Sequence, residues 1–218
     1  MTHVWYAAYG SNLHARRLTY YREGGTPPGT DHTYPGFRDP TPPAKTTPLM
    51  LPGSIYFAWE SQVWTGGVGF YAAEPTDGWP RGAAARGYLL TEQQFGDLLT
   101  QEMYRTPGEA DDISLETVLR DGRAQLGPGR YETLVRAGDL DGVPILTFTS
   151  SWDPATVELR KPAARYISMI ASGLHESHDW TAEKITAYLA ELPGIQGLWQ
   201  TSDLAALVEE SVDAAELA

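Results

Sequence analysis

The chain has 218 residues, of which 42% are hydrophobic and 11% aromatic, so it is long and apolar enough to bury a core. Its formal net charge of −12 argues against nucleic acid or an anionic membrane surface as the main partner. The absence of cysteine excludes disulfides, thiolate metal sites and cysteine nucleophiles. We find no pattern typical of a secretion signal and no run of about 18 apolar residues, so we expect a cytoplasmic protein without a membrane span.

The chain begins with a mostly apolar stretch that ends in a polar turn. The valine, tryptophan and tyrosine residues within 3–9 favour a strand buried on both faces. The stretch breaks at Gly10, Ser11 and Asn12, which are turn-forming residues, and a short helix is predicted over residues 13–18. Such a turn directs backbone N–H groups to one place, where they bind carboxylates, phosphates or oxyanions. Many buried strands end in a similar turn without a ligand, so the geometry alone leaves both interpretations open.

A segment dense in proline and glycine follows, from Gly24 to Gly53, and we call it the Pro/Gly-rich segment. This composition predicts a long irregular loop, because helices and central strands tolerate few prolines. Long loops in compact domains often act as lids or binding loops, and a decorative insertion is an equal alternative. Its apolar residues, Tyr34, Phe37 and residues 49–51, favour a segment pinned to the protein surface over a free linker.

The middle of the chain predicts three strands and a capped helix. The strands are residues 54–58, 66–72 and 85–90. Thr91 then begins a helix as its N-cap, with Gln94 completing a capping box, and the helix is predicted to run from Glu92 to about Tyr104.

The periodicity of this helix places a carboxylate on its apolar face. The stripe of Phe95, Leu98 and Leu99 continues at helical spacing to Glu102. The polar neighbours are expected on the other side: Gly96, Asp97, Thr100 and Gln101. A buried carboxylate must find a cation, find hydrogen bonds or raise its pKa, and a raised pKa suits general acid–base work. The alternative is that the helix frays here and the charge reaches water.

The second half of the chain predicts two more strands and several helices. The strands cover residues 131–137 and 143–150, joined by a hairpin turn at 139–142. The predicted helices are residues 113–119, 161–175 (with Pro162 in the first turn), 181–192 (capped by Thr181) and 203–217. His175 and His178 are spaced like a pair of metal ligands, but no third ligand accompanies them, so we expect no metal.

Several of these stretches resemble one known family. Residues 6–13, Tyr-Ala-Ala-Tyr-Gly-Ser-Asn-Leu, resemble the Tyr-x-Ala-Tyr-Gly-Ser-Asn-Leu signature of the gamma-glutamylcyclotransferase superfamily. The helix that carries Glu102 is similar to the family's Leu-x-x-Leu-Asp-x-x-Glu-Gly pattern, with Leu99 in place of the usual Asp and Met103 in place of the usual Gly. Tyr131 and Tyr166 also match tyrosines of the family pattern.

The resemblance implies an α+β fold, a small mixed β-barrel surrounded by helices, over residues 1–192. Residues 24–53 would be a loop insertion, and residues 193–218 an acidic helical extension at the C-terminus. The implied reaction is that of an amide-cleaving cyclotransferase, an acyltransferase or lyase that turns a small gamma-glutamyl amide into 5-oxoproline and an amine. It implies Glu102 as the catalytic acid–base group, with no metal and no cofactor. It further implies these substrate-binding residues: Tyr9, Gly10, Ser11, Asn12, Leu13, Tyr131 and Tyr166.

Two alternatives stay open on the sequence alone. The first is a hydrolase or deacylase on the same scaffold, in which Glu102 activates water or Ser11 is the nucleophile. The absence of a Gly-x-Ser-x-Gly elbow argues against a serine hydrolase of the usual α/β kind. The second is a non-catalytic small-molecule binding module, which the departures at Leu99 and Met103 motivate.

Overall fold

A computed structural model of the chain describes residues 2–28, 31–61, 63–109 and 113–217. The chain forms two compact units. The first comprises Met1–Ala8, Ala15–Thr47 and Gly87–Ser151, and the second comprises Tyr9–His14, Pro48–Arg86 and Trp152–Ala218.

The structure combines eight strands with six α-helices over the described ranges. The strands are β1 (His3–Ala8), β2 (Thr46–Leu51), β3 (Ser54–Ser61), β4 (Gly66–Ala72), β5 (Ala83–Thr91), β6 (Arg123–Gln125), β7 (Thr133–Leu140) and β8 (Val143–Thr149). The helices are α1 (Ala15–Glu23), α2 (Glu92–Glu102), α3 (Glu116–Asp121), α4 (Ala164–His178), α5 (Ala182–Ala190) and α6 (Thr201–Glu216). The predicted α+β class is confirmed.

The strands form an open sheet of six and a hairpin of two. The larger sheet has the order β2-β5-β1-β8-β7-β6, in which β1 runs parallel to β8 and the β7 ladders to β6 and β8 are antiparallel. The prediction of a closed barrel is therefore wrong for the described residues. Both ends of this sheet are typical edge strands, because β6 has only three residues and β2 contains Pro48, which has no N–H to donate.

The core of the first unit lies between β1 and α2. Along β1, Val4, Tyr6 and Ala8 share one apolar cluster with Phe95 and Leu98 of α2. The predicted burial of this strand on both faces is confirmed, since every residue from Val4 to Ala8 is buried. The hairpin between β7 and β8 turns through residues 141–142, both with positive φ, as a tight two-residue turn requires.

Helix α2 is buried on its polar side as well as on its apolar side. Three polar side chains that follow one another at helical spacing, Gln94, Asp97 and Gln101, are each at most 3% exposed. They bind the Pro/Gly-rich segment: Asp97 accepts hydrogen bonds from the backbone N–H and guanidinium of Arg38, at 2.7 to 2.9 Å. Two of the polar neighbours of the Glu102 stripe, Asp97 and Gln101, thus face another part of the chain and not water.

The Pro/Gly-rich segment is less irregular than its composition predicts. Its last part forms β2, so the prediction of a loop over residues 24–53 is wrong there. Pro48 is tolerated because β2 lies at the edge of the sheet. Earlier in the segment, Tyr34 and Phe37 are both 7% exposed and belong to the core cluster of the first unit. The expected pinning to the protein body is therefore present.

The second unit packs three helices and the β3–β4 hairpin. Helix α4 contacts α5, α6 and the turn at residues 9–14. The buried apolar residues of the three helices include Ile167, Ile170, Ala171, Leu174, Ile185, Leu189, Leu204, Val208 and Val212. No helix in the described ranges is long and apolar enough to cross a lipid bilayer.

Other predicted boundaries shift by a few residues. A 3-10 turn at Ser11–Leu13 precedes α1, which runs beyond residue 18 to Glu23. Helix α4 begins after Pro162 instead of including it, because Ala163 is its N-cap. The sequence analysis missed β6, whose three residues are too few to show a strand pattern.

The capping box of α2 makes a direct stability prediction. Thr91 Oγ1 accepts a hydrogen bond from the Gln94 N–H at 3.2 Å, and the Gln94 side chain accepts one from the Thr91 N–H at 3.1 Å. We expect Thr91→Ala to lower the free energy of unfolding by about 1 kcal/mol, because the helix loses its cap. Urea denaturation monitored by circular dichroism measures the loss. Thr91→Ser, which retains the hydroxyl, is the matched control, and an equal loss in both variants would contradict the role of the cap.

Candidate active site

Glu102 is the last residue of α2, and Tyr21 of α1 holds its carboxyl. The Tyr21 hydroxyl donates to Glu102 Oε1 at 2.6 Å, the short distance typical of a hydrogen bond to a charged acceptor. Tyr21 is 4% exposed, and Glu102 is partly buried. The prediction from periodicity, that the helix carries this carboxylate toward its inner face, agrees with this position.

Two opposing effects set the acidity of Glu102. Burial raises the pKa of its carboxyl, because the charged form loses hydration. The hydrogen bond from Tyr21 and the guanidinium groups of Arg130 and Arg17 lower that pKa, since each favours the charged form. Burial is the larger effect, and the pKa of Glu102 lies above its ordinary value of 4.5.

Arg17 and Tyr34 form the next layer around this carboxyl. The Arg17 guanidinium donates to the Tyr34 hydroxyl and lies over the rings of both Tyr34 and Tyr21, 4.8 and 5.2 Å from their centroids. The Tyr34 hydroxyl points to the Tyr21 hydroxyl at 3.5 Å, the outer limit of a hydrogen bond. Arg17, one turn before Tyr21 on α1, is itself 6% exposed.

A second group of aromatic and basic side chains surrounds Tyr104, two residues after Glu102 in the chain. Arg130 donates to the Tyr104 hydroxyl at 2.5 Å, and its guanidinium lies over the rings of Tyr104 and Tyr131. Tyr104 is 58% exposed and has a φ of 57°, a left-handed conformation that is uncommon for an aromatic residue. The His32 ring meets the Tyr104 ring edge-on at 5.5 Å.

Two of these residues, His32 and Tyr104, border a cavity of about 320 Å³ in the first unit. It is lined by His32, Thr33, Pro35, Gln101, Tyr104, Arg105 and Thr106. The lining combines two aromatic rings with a guanidinium and several hydrogen-bonding groups. Its size suits a small polar molecule.

The turn at residues 9–14 belongs to the second unit and is closely packed. Gly10 lies against Tyr166, because a Cβ at this position would be 2.8 Å from the Tyr166 hydroxyl oxygen. That hydroxyl accepts a hydrogen bond from the Gly69 N–H at 3.1 Å. The Tyr9 ring packs against the ring of Tyr71, with centroids 6.1 Å apart. Three of the residues predicted to bind substrate, Tyr9, Gly10 and Tyr166, thus lie in one closely packed region of the second unit.

Within this turn, two N–H groups are used by the turn itself. The Leu13 N–H donates to Gly10 O at 3.0 Å, and the His14 N–H donates to Ser11 O at 3.2 Å. Leu13 and Asn12 are buried, at 1% and 5% exposure. The side chain of Leu13 therefore contributes packing within the second unit.

An ion-pair network holds the end of the turn. Arg86 Nη1 donates to Leu13 O at 3.0 Å and to the Glu176 carboxylate at 2.8 Å. The same carboxylate is 3.1 Å from His14 Nδ1. Gly173 of α4 allows this close approach, because a Cβ there would lie 2.5 Å from the Leu13 and His14 backbone.

The predicted site residues therefore fall into two groups. Glu102 and Tyr131 lie in the first unit, and the residues at 9–13 and Tyr166 lie in the second. The sequence analysis missed the residues around Glu102: Arg17, Tyr21, Tyr34, Tyr104 and Arg130. Arg17 and Tyr21 lie four residues apart on α1, but the helix predicted from the sequence ended at residue 18, before Tyr21, so this spacing gave no signal.

The histidine pair near the end of α4 has structural contacts. His175 Nδ1 lies 3.0 Å from Trp180 O, and His178 Nε2 lies 3.2 Å from Leu49 O. Among the described residues, no group of three or more metal-ligating side chains converges on one point.

Comparisons with known proteins give one relative by sequence. No protein-family model matches the chain. The chain is 28% identical over 198 residues to histone deacetylase 5 of Arabidopsis thaliana, a match that covers 85% of this chain. The chain spans only 30% of the length of that relative.

Two solved structures align with most of this chain. A gamma-glutamyl cyclotransferase aligns with 95% of this chain, covering 99% of its own length, at a TM-score of 0.45 and 14% identity. An uncharacterized protein from Homo sapiens aligns with 96% of this chain and 99% of its own length, at a TM-score of 0.50 and 14% identity. At 14% identity, the match to the human protein shows a similar fold and no more.

The raised pKa of Glu102 predicts a pH dependence of stability. The folded protein binds this proton more tightly than the unfolded chain does, so stability falls as pH rises from about 4.5 through the folded-state pKa. We expect Glu102→Gln to remove this part of the decline, which urea denaturation at a series of pH values measures. Glu116→Gln, at a side chain that is 82% exposed, should retain the wild-type profile. Parallel profiles for wild type and Glu102→Gln would contradict the assignment.

The packing of Gly10 predicts a steric cost for any side chain there. We expect Gly10→Ala to lower the free energy of unfolding by about 1–3 kcal/mol, because the new methyl group would overlap the Tyr166 hydroxyl. In a Tyr166→Phe background, the same substitution should cost less. Gly96→Ala is the control, since open space surrounds Gly96 and alanine favours the helix. Equal costs in the two backgrounds would exclude the contact as the cause.

Proposed function

We propose that the protein is a gamma-glutamyl cyclotransferase-like enzyme, which releases an amine or amino acid from a gamma-glutamyl conjugate and forms 5-oxoproline. The observation that carries this proposal is the carboxyl of Glu102. It stands where the family pattern has its acid–base glutamate, a tyrosine hydroxyl binds one of its oxygens, and its pKa is raised.

The reaction is an intramolecular aminolysis. The α-amino group of the gamma-glutamyl unit attacks the side-chain carbonyl carbon, a five-membered lactam forms, and the bond from that carbon to the leaving nitrogen breaks. Binding the substrate in a folded conformation supplies the proximity that such a ring closure needs. No covalent intermediate with the protein is required.

Proton transfer is the task assigned to Glu102. The substrate's ammonium must lose a proton before the attack, and its nitrogen loses a second as the lactam forms. The same carboxylate takes these protons and passes them to the departing nitrogen, which leaves as an ammonium. A carboxyl with a raised pKa is a stronger base than an ordinary glutamate, which suits this exchange near neutral pH.

The substrate-binding residues are proposed from the resemblance to the gamma-glutamylcyclotransferase signature. We assign this role to Tyr9, Gly10, Ser11, Asn12 and Leu13, among which the backbone N–H groups of Gly10, Ser11 and Asn12 suit a carboxylate or a developing oxyanion. Tyr131 and Tyr166 are assigned to the same role.

We propose that this chemistry takes place in the cytoplasm.

Substitution of the glutamate tests the proposal. Wild-type protein incubated with a panel of gamma-glutamyl amines and dipeptides should form 5-oxoproline, detected by mass spectrometry. We expect Glu102→Gln to lower kcat/KM by about 10²- to 10⁴-fold, because general acid–base catalysis contributes that much. The matched control Glu116→Gln lies on the surface of the first unit and should retain activity.

The product of the reaction distinguishes the cyclotransferase from the hydrolase and from the binding module. Free glutamate in place of 5-oxoproline would overturn the cyclotransferase and support a hydrolase in which Glu102 activates water. Binding of a panel member without any turnover would support a binding module. Full activity of Glu102→Gln would overturn the assigned role of Glu102, whatever the product.

A further inference from the structure

Four side chains from three parts of the first unit form a series of polar contacts that ends at Glu102. Arg17 donates to the Tyr34 hydroxyl, which points to the Tyr21 hydroxyl at 3.5 Å, which donates to Glu102 Oε1 at 2.6 Å. Arg17 and Tyr21 come from α1, Glu102 from α2, and Tyr34 from the Pro/Gly-rich segment. Arg17, Tyr21 and Tyr34 are each at most 7% exposed, so water does not compete for these contacts.

The two ends, Arg17 and Glu102, fix the direction in which the hydroxyl groups of Tyr34 and Tyr21 donate their hydrogens. A guanidinium has donors only, and an ionised carboxylate has acceptors only. Tyr34 must therefore accept from Arg17, which leaves its own hydrogen to point at Tyr21. Tyr21 in turn must direct its hydrogen to Glu102. Each hydroxyl that accepts a hydrogen bond becomes a stronger donor, so the members support one another.

The Pro/Gly-rich segment is built to place Tyr34. Gly25 and Tyr34 exchange two backbone hydrogen bonds, at 2.9 and 3.0 Å. Gly24 and Gly25 both have positive φ, and a Cβ on Gly24 would lie 3.1 Å from the carbonyl oxygens of Tyr34 and Pro35. The buried Gln101 of α2 donates to Tyr21 O at 3.0 Å and to Gly36 O at 3.3 Å, tying the segment to both helices.

We propose that Tyr34 and Arg17 are positioning residues that direct the Tyr21 hydroxyl at one oxygen of Glu102 and leave the other oxygen for proton transfer. The Pro/Gly-rich segment would then be part of the acid–base machinery and not a decorative insertion. The catalytic part of this inference rests on the proposed function. The coupling among the side chains does not, because it is a property of the folded protein.

The charged and titratable groups near Glu102 are few enough to test one at a time. Tyr21 and Arg17 approach from α1, Tyr34 from the Pro/Gly-rich segment, and Arg130 from the stretch before β7. Arg130 acts on Glu102 through its charge and donates to Tyr104. The His32 ring contacts the rings of both Tyr34 and Tyr104, and Tyr34→Phe retains the ring that His32 meets.

A double-mutant cycle measures whether Tyr34 acts through Tyr21. The pKa of Glu102 is read by NMR from its carboxyl carbon, in protein labelled with 13C-glutamate and assigned with Glu102→Gln. We expect Tyr21→Phe to raise that pKa by about 1–2 units, because a hydrogen bond to a charged acceptor is lost. Tyr34→Phe should raise it by about 0.5 units in the wild-type background and not at all in the Tyr21→Phe background.

Two further variants complete the design. Tyr20→Phe makes the same change on the same helix, at a tyrosine that packs against the core cluster, and should leave the pKa unchanged. Arg17→Lys retains the charge but loses the planar fork, and should raise the pKa in the same direction as Tyr34→Phe. It provides a second arm if Tyr34→Phe fails to fold. The acid limb of the kcat profile should move with the measured pKa.

The outcomes separate the two proposals. Equal shifts from Tyr34→Phe in both backgrounds, or no shift from either Tyr34→Phe or Arg17→Lys, would overturn the positioning role even in an active cyclotransferase. A positive cycle in a protein that forms no 5-oxoproline would support the coupling while the proposed function fails. A shift as large for Tyr20→Phe as for Tyr34→Phe would also overturn it, since general loosening of α1 would then be the cause.

Discussion

The structure of the first unit depends on the burial of α2 on two faces. Phe95 and Leu98 pack into the apolar cluster shared with β1, while Asp97 and Gln101 bind the Pro/Gly-rich segment. Buried polar side chains are costly unless they are hydrogen-bonded, so this second face holds only where the segment supplies partners. A helix held on both sides has little freedom to turn, and this fixes the position of Glu102 at its end.

The surroundings of Glu102 differ in charge from the rest of the chain. The chain carries a net charge of −12, yet the guanidinium groups of Arg17 and Arg130 both lower the pKa of this one carboxyl. They do not overcome the cost of burial, because the pKa stays above its ordinary value. As a result, the Glu102 carboxyl is hydrogen-bonded through one oxygen and is still more basic than an ordinary glutamate. The proposed proton transfer requires both properties.

The two departures from the family pattern beside Glu102 have a structural explanation. Leu99, in place of the usual Asp, is fully buried in the apolar cluster of the first unit. Met103, in place of the usual Gly, has a φ of −85°, so the end of α2 does not need a glycine there. The left-handed conformation occurs one residue later, at Tyr104, whose side chain contacts Arg130. Neither departure removes the hydrogen bond that Glu102 accepts.

The sequence by itself determined most elements of the fold, including the buried first strand, the capping box of Thr91 and the inner face that carries Glu102. These features are local, since hydrophobic periodicity and capping chemistry act within one turn or one strand. Only the tertiary structure decided that the sheet stays open, that part of the Pro/Gly-rich segment pairs as an edge strand, and that Tyr34 and Arg17 lie beside Tyr21. Those contacts join residues far apart in the chain, and no local pattern encodes which distant side chain will satisfy a buried polar group.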